Sequence, residues 1–159
     1  MLLLNGSMDK FVYADEKGQE KVIEQLNKIF SNCTVEYEQH YEDKNGIDIY
    51  FTVTTPKGKE YKYAAECKDR IYEHTFTDKW ILEYKKYNDL IEASEQGYKP
   101  LYINTYTDDW MNIWDISKCT VAQSDDWVLP TTTVVDRGYV KKKTLLLDET
   151  EAVYNKPFV

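Results

Sequence analysis

The sequence predicts a mixed α/β domain of 159 residues with a β-hairpin at its centre. Three observations predict it: a helical pattern comes first, three strand-like segments follow, and a second helical pattern precedes two more strands. The composition, 42% hydrophobic and 30% charged residues, is ordinary for a globular protein. A chain of this length is short enough for one domain and long enough to bury a core. We therefore expect residues 1–159 to form a single domain.

The first predicted helix covers residues 19–30. Val22, Ile23 and Leu26 recur at helical spacing, and Glu20 falls off that apolar stripe. This pattern is typical of a helix that lies with one face on a sheet.

Three strands are predicted next, at residues 33–41, 46–55 and 59–68. In the middle segment, apolar residues at odd positions alternate with mostly polar residues at even positions, as expected of a strand with one buried face. A second helix is predicted at 78–96, with Gly97 as its C-terminal cap. The residues on its predicted inner face are Trp80, Ile81, Tyr84, Tyr87, Asn88 and Ile91.

After the second helix, strands are predicted at 101–106 and 111–116, joined by a short acidic turn. A last strand is predicted at 140–147. We place the core of the domain at about residues 18–106 and treat 107–159 as a C-terminal extension that adds a β segment. The predicted core order is α-β-β-β-α-β.

The segment Pro56-Lys57-Gly58 fixes the register of the central hairpin. Proline followed two residues later by glycine is typical of a three-residue hairpin loop, in which Thr55 pairs with Lys59. The register places apolar pairs on one face: Val53–Tyr61, Phe51–Tyr63, Ile49–Ala65 and Ile47–Cys67. On the other face it places Asp48 opposite Glu66, with Lys68 one pleat further along.

Asp48 and Glu66 would repel each other unless something lies between them. Their oxygens are the ligands that a hard divalent cation prefers, and Lys68 could orient a water molecule there. The alternative is structural: two acidic residues on a solvated strand face, with the lysine as their ion-pair partner. Spacing alone leaves both interpretations open.

The residues Gly46-Ile47-Asp48, the hairpin and Glu66-Cys67-Lys68 resemble the signature of the PD-(D/E)xK nuclease superfamily. The resemblance implies a restriction-endonuclease-like fold with a mixed central sheet. It also implies hydrolysis of DNA phosphodiester bonds with Mg²⁺ or Mn²⁺, Asp48 and Glu66 as metal ligands, and Lys68 beside the attacking water. One departure is that Ile47 replaces the proline of the signature.

The same resemblance suggests two further catalytic residues. Members often contribute an acidic residue from the first helix, for which Glu20 is the best placed, with a surface glutamate as the alternative. A basic residue on the second helix often completes the site, and Lys85 borders the predicted apolar face more closely than Lys86. Apart from the resemblance, His74 lies in a loop after this stretch and could act near the metal, with an exposed loop histidine as the alternative. Arg70 and Lys79 flank the site and are candidates for contacts to phosphates.

The net charge of −8 argues against a protein that coats duplex DNA by bulk electrostatics. Residues 56–100, however, carry nine basic and nine acidic residues, so a phosphate would meet no net repulsion there. Two functions are therefore compared: a metal-dependent nuclease, structure-selective or phage-type, and an inactive module of the same fold that binds protein or nucleic acid. We expect a cytoplasmic chain without a membrane segment, and a homodimer if both strands are cut at once.

Overall fold

The computed structural model describes residues 10–38, 46–123, 127–130 and 138–159. Side chains at 10–17, 123, 127, 128 and 130 are not described. The elements are α1 (Lys10–Ile29), β1 (Thr34–Glu38), β2 (Ile49–Thr54), β3 (Glu60–Asp69), β4 (Trp80–Glu83), α2 (Tyr84–Glu95), β5 (Lys99–Thr105), β6 (Trp110–Asp115), β7 (Ala122–Gln123), β8 (Trp127–Pro130), β9 (Tyr139–Lys142), β10 (Thr144–Leu147) and β11 (Tyr154–Pro157).

Six strands form a mixed central sheet in the order β1-β2-β3-β5-β6-β11. β3 and β5 are parallel, and the other neighbours in this sheet are antiparallel. The parallel pair needs a crossover, which β4 and α2 supply. The predicted mixed α/β fold and its element order are confirmed, with β4 as an addition before α2. Within the described residues, no helix is long and apolar enough to span a membrane.

The predicted hairpin register is confirmed from Thr54↔Glu60 to Ile49↔Ala65. Gly58 adopts φ +84°, a left-handed conformation that costs glycine little, and its N–H donates to Thr55 O. Thr55 N donates to Lys59 O at 2.8 Å, so the loop closes as its sequence predicts. The turn chemistry therefore sets which face of β3 each residue occupies.

The two faces of the sheet are covered by different helices. α1 lies on the face of Ile49, Phe51 and Ala65, through Val22, Ile23 and Leu26. α2 lies on the face of Tyr50, Ala64, Tyr102 and Trp114, through Leu90 and Ala93. Both apolar stripes point inward because their residues repeat at helical spacing.

Several predicted boundaries are wrong. α1 begins at Lys10 rather than residue 19, and α2 begins at Tyr84 rather than residue 78. Residues 80–83 form β4 instead, because this segment pairs with β10. The predicted last strand at 140–147 is two strands, β9 and β10, separated by Lys143. Residues 39–41 of the predicted first strand lie outside the described residues.

Candidate active site

The candidate site lies on the α2 face of β3, around the buried side chain of Glu66. Glu66 is 2% exposed, and its Oε1 accepts an ion-pair contact from Lys86 Nζ at 3.2 Å. Its other oxygen, Oε2, is buried without a hydrogen-bond partner among the described residues. A buried carboxylate oxygen without a partner is energetically costly, so this atom needs a cation, a donor or a proton.

Asp48 approaches Glu66 from the segment before β2. The regular hairpin pairing ends at Ile49↔Ala65, and Asp48 instead bonds through its backbone N–H to Ala65 O at 3.2 Å. Its side chain then takes the place of the next ladder bond, since Oδ2 accepts from Cys67 N at 2.8 Å. The predicted ladder pair Asp48–Glu66 is therefore replaced by a side-chain contact to the strand.

The same change corrects the predicted pair Ile47–Cys67. Ile47 packs in the cluster under α2, whereas Cys67 packs against the cluster under α1. Cys67 therefore points away from the carboxylates, as the hairpin register requires. Only the predicted face of Ile47 is wrong. The physical reason is the break in the ladder: once the strand pairing stops at Ile49, side chains need not alternate between the faces.

Burial raises the pKa of Glu66 well above its usual range, and the Asp48 carboxylate adds to the rise. Burial also raises the pKa of Asp48, although the hydrogen bond from Cys67 and the charges of Lys86 and Lys68 act against it. Two neighbouring carboxyls that are shielded from water resist losing both protons. A positive group beside them would favour their ionised forms.

Lys86, not Lys85, contacts the carboxylate pair. Lys86 Nζ contacts Glu66 and also donates to Gly46 O at 3.1 Å. Burial would lower the pKa of Lys86, but the carboxylates of Glu66 and Asp48 outweigh this and the pKa is raised. Lys85 is 74% exposed and pairs with Asp89 at 3.3 Å, so the preference for Lys85 is wrong.

The error follows from the helix boundary. Lys86, Leu90 and Ala93 share one face of α2, because positions i, i+4 and i+7 lie close together on a helix. The prediction began the helix at residue 78 and set its apolar face partly from residues 80 and 81, which belong to β4. Lys85 lies about 100° round the helix from Lys86.

Lys68 lies on the face of Glu66, two residues further along β3. Its Nζ lies 3.9 Å from Glu83 Oε1, at the start of α2, and Glu83 also contacts Lys142 at 3.4 Å. Glu83 therefore holds Lys68 near the carboxylate pair from the side of α2. Sequence reasoning missed Glu83, since its position depends on β4 pairing with β10.

The remaining candidates do not contact the carboxylate pair. Glu20 is exposed and makes no ion pair or hydrogen bond within the described part of the chain, so its assignment stays a prediction. The ring of His74 bonds to Asp108 through Nδ1 at 2.5 Å and stacks on Trp110, beside the β5–β6 turn. Lys79 lies in the loop before β4.

The donor set fits a hard divalent cation. Two neighbouring carboxylates, one with a buried oxygen that lacks a partner, provide oxygen ligands of the kind that Mg²⁺ takes. Mg²⁺ keeps several of its own waters, so one or two carboxylates suffice. The described residues contain no group of three or more His, Cys, Asp or Glu side chains that could hold a metal ion. The fit therefore rests on Asp48 and Glu66.

The fold and site thus define a mixed α/β protein with a carboxylate pair, of which Glu66 is buried and Asp48 half-buried, beside two lysines. No protein-family model matches the chain, and no curated protein matches it. Among solved structures, it is similar to the 1.6 Å structure of Hjc, a Holliday junction resolvase from Archaeoglobus fulgidus. The match covers 89% of this chain and 91% of that chain, with 11% identity and a TM-score of 0.49.

Proposed function

We propose that this protein is a metal-dependent nuclease that hydrolyses phosphodiester bonds of DNA at the Asp48–Glu66 pair. The observation that carries the proposal is the buried Glu66 carboxylate. Its Oε2 lacks a hydrogen-bond partner among the described residues, and its pKa is raised by burial and then by the Asp48 carboxylate. A surface ion-pair network would not leave one carboxylate oxygen in the interior without a partner, because such an atom costs free energy.

Asp48 and Glu66 would hold the cation, Mg²⁺ or Mn²⁺, and a bound cation of this kind polarises a phosphoryl oxygen and lowers the pKa of a bound water. The protein supplies the rest. Lys68, held by Glu83, lies where it can orient a water and stabilise negative charge on a phosphate. Lys86 keeps Glu66 in place and links it to the Gly46 backbone.

Gly46 explains how this arrangement is held together. The residue adopts φ +75°, and a Cβ added there would lie 2.6 Å from Asp89 Oδ2 on α2. The left-handed φ favours glycine, and any other side chain would crowd the Asp89 carboxylate. The Gly46 carbonyl accepts from Lys86 Nζ, which links the segment before Asp48 to α2.

A second candidate is a module that binds nucleic acid or protein without hydrolysis. The contact between Lys86 and Glu66 favours it, because an ammonium already neutralises one oxygen of the pair. The two candidates differ in one respect that can be measured: only the nuclease requires a divalent cation.

The test is cleavage of plasmid and of labelled linear, single-stranded and branched DNA with Mg²⁺ or Mn²⁺, and with EDTA. We expect cleavage that needs the cation and is lost in Glu66→Gln and Asp48→Asn. Glu60→Gln is the matched control, because Glu60 lies on the same strand but is exposed. Binding of DNA without cleavage by the folded wild type under all these conditions would favour the second candidate.

Cleavage of both strands at one position would need two sites, since the described residues of each chain carry one such pair. We therefore propose a homodimer for double-strand cleavage, and sedimentation of the protein with and without DNA tests it. We also propose a cytoplasmic location.

A further inference from the structure

Arg70 follows β3 directly and extends its functional face. Its backbone N–H donates to Thr105 O at 2.8 Å, which prolongs the pairing with β5. Successive even positions of β3 lie on one face, so Glu66, Lys68 and Arg70 form a row. The proposed chemistry uses the first two members of the row but gives the third no role.

The Arg70 guanidinium is held in a fixed orientation by three neutral acceptors. Nε donates to Asn104 Oδ1 at 3.2 Å, and Nη2 donates to Tyr102 Oη at 2.9 Å and to Ile81 O at 3.4 Å. These bonds come from β5 and β4, so the plane of the guanidinium is defined by two elements. Nη1 takes part in none of them.

The charge of Arg70 has no contacting counterion. Within the described residues, no carboxylate oxygen lies within 4.0 Å of its guanidinium, although its side chain is half-buried. Glu83 contributes an attractive field but contacts Lys142 and Lys68 instead. A partly buried cation is ordinarily paired, because burial without a counterion costs free energy.

We propose that Arg70 binds a phosphate of the DNA strand that flanks the scissile phosphate. This inference rests on the proposed nuclease function and adds the substrate contact at the end of the row. A guanidinium with unused N–H donors is suited to bind a phosphate, since two of its N–H groups can donate to two phosphate oxygens. Glu66 and Arg70 lie four residues apart on β3, so their Cα atoms are about 13 Å apart. The length of the arginine side chain covers part of this distance.

The competing explanation is that Arg70 only joins β3, β4 and β5 through its three bonds. The salt dependence of DNA binding separates the two explanations. Each phosphate contact to duplex DNA contributes about 0.9 to the slope of log Kd against log salt concentration, whereas a structural role contributes nothing.

The experiment measures anisotropy of labelled duplex DNA against salt concentration, in the cleavage-inactive Glu66→Gln background. Arg70→Gln should lower the slope by about 0.9 and weaken binding about tenfold or more. Arg70→Lys should keep the slope but bind more weakly, because lysine keeps the charge and loses the fork. Lys57→Gln, in the exposed hairpin loop at the far end of β3, has the same charge change and should alter neither quantity.

A second variant covers the case in which Arg70→Gln fails to fold. Asn104→Asp supplies the missing counterion to Arg70 without a change of side-chain size, so the fold should be kept while the slope falls. Asn32→Asp, exposed after α1, is its matched control for charge. Thermal melts verify that each variant is folded.

An unchanged slope in folded Arg70→Gln, or in folded Asn104→Asp, would overturn the inference. If the wild type cleaves DNA with Mg²⁺ while these slopes stay unchanged, only the role of Arg70 fails. If the wild type neither binds nor cleaves DNA, the proposed function fails and the Arg70 contact fails with it.

Discussion

The two faces of the central sheet are formed by the same strands but bury different kinds of side chain. On the α1 face, Phe51, Ile103 and Met111 are at most 1% exposed. The buried polar side chains there, Gln25 and Thr105, are neutral and hydrogen-bonded. On the α2 face, β3 and β5 bury Glu66 and Asn104 to a similar extent. Apolar burial stabilises a fold without further conditions, whereas a buried carboxylate needs a partner. The comparison teaches that the α1 face maintains the fold, whereas the α2 face carries the groups of the proposed chemistry.

The largest effect should come from removing Lys68 on the α2 face. Lys68→Met should lower the rate of DNA cleavage by about 10²–10⁴-fold, the usual range for a group that assists proton transfer or charge stabilisation. Stability should change little, because the contact between Lys68 and Glu83 is long, at 3.9 Å. Single-turnover cleavage and thermal melts measure the two quantities. Lys62→Met, at an exposed position of the same strand, should leave the rate unchanged.

The matching change on the α1 face should affect stability instead. Ile103→Ala removes a fully buried side chain of β5 and should lower the free energy of unfolding by about 2–5 kcal/mol. Its cleavage rate per folded molecule should match the wild type at a temperature where both are folded. Urea titration gives the first quantity. A specific loss of rate in folded Ile103→Ala would break the division between the faces.

A smaller difference should separate two neighbouring lysines of α2. Lys86→Met leaves Gly46 O and Glu66 Oε1 without their donor and should destabilise the protein by about 1–3 kcal/mol. Lys85→Met breaks only an exposed i,i+4 pair and should cost at most about 0.5 kcal/mol. Urea titration of both variants makes the comparison. Equal costs would contradict the geometry of α2.

The difference between these lysines shows what sequence patterns could and could not predict. The hairpin loop at Pro56-Lys57-Gly58 is a local signal, so the register up to Ala65 followed from it. The face of α2 depended on where the helix begins, and that depends on β4 pairing with β10, more than 60 residues away. The predicted helix included the residues of β4, so its apolar face was misplaced and Lys85 was preferred to Lys86.

Asp48 illustrates a second limit. Alternation along the hairpin placed Asp48 near Glu66, and the structure brings the two carboxylates together. Alternation could not show that the ladder stops at Ile49 and that the Asp48 side chain accepts from Cys67 N. The end of the ladder, and this contact with it, has no local sequence pattern.

The smallest effect concerns the pH dependence of stability without a cation. The raised pKa of Glu66 means that the native state keeps a proton that the unfolded state has lost. Stability should therefore fall as the pH rises above the unfolded pKa of a glutamate, until the native Glu66 has also ionised. Thermal melts from about pH 5 to about pH 8 in EDTA test this. Glu66→Gln should show a smaller fall, since Asp48 also has a raised pKa, and Glu60→Gln should keep the full fall.

The central claim is that Asp48 and Glu66 together hold a divalent cation, and thermal melts with and without Mg²⁺ test it most directly. Mg²⁺ should stabilise the wild type by mass action, raise the Tm of Lys68→Met by a similar amount, and shift Asp48→Asn and Glu66→Gln much less. Glu60→Gln should shift like the wild type. Equal shifts in the wild type and both carboxylate variants would contradict the claim.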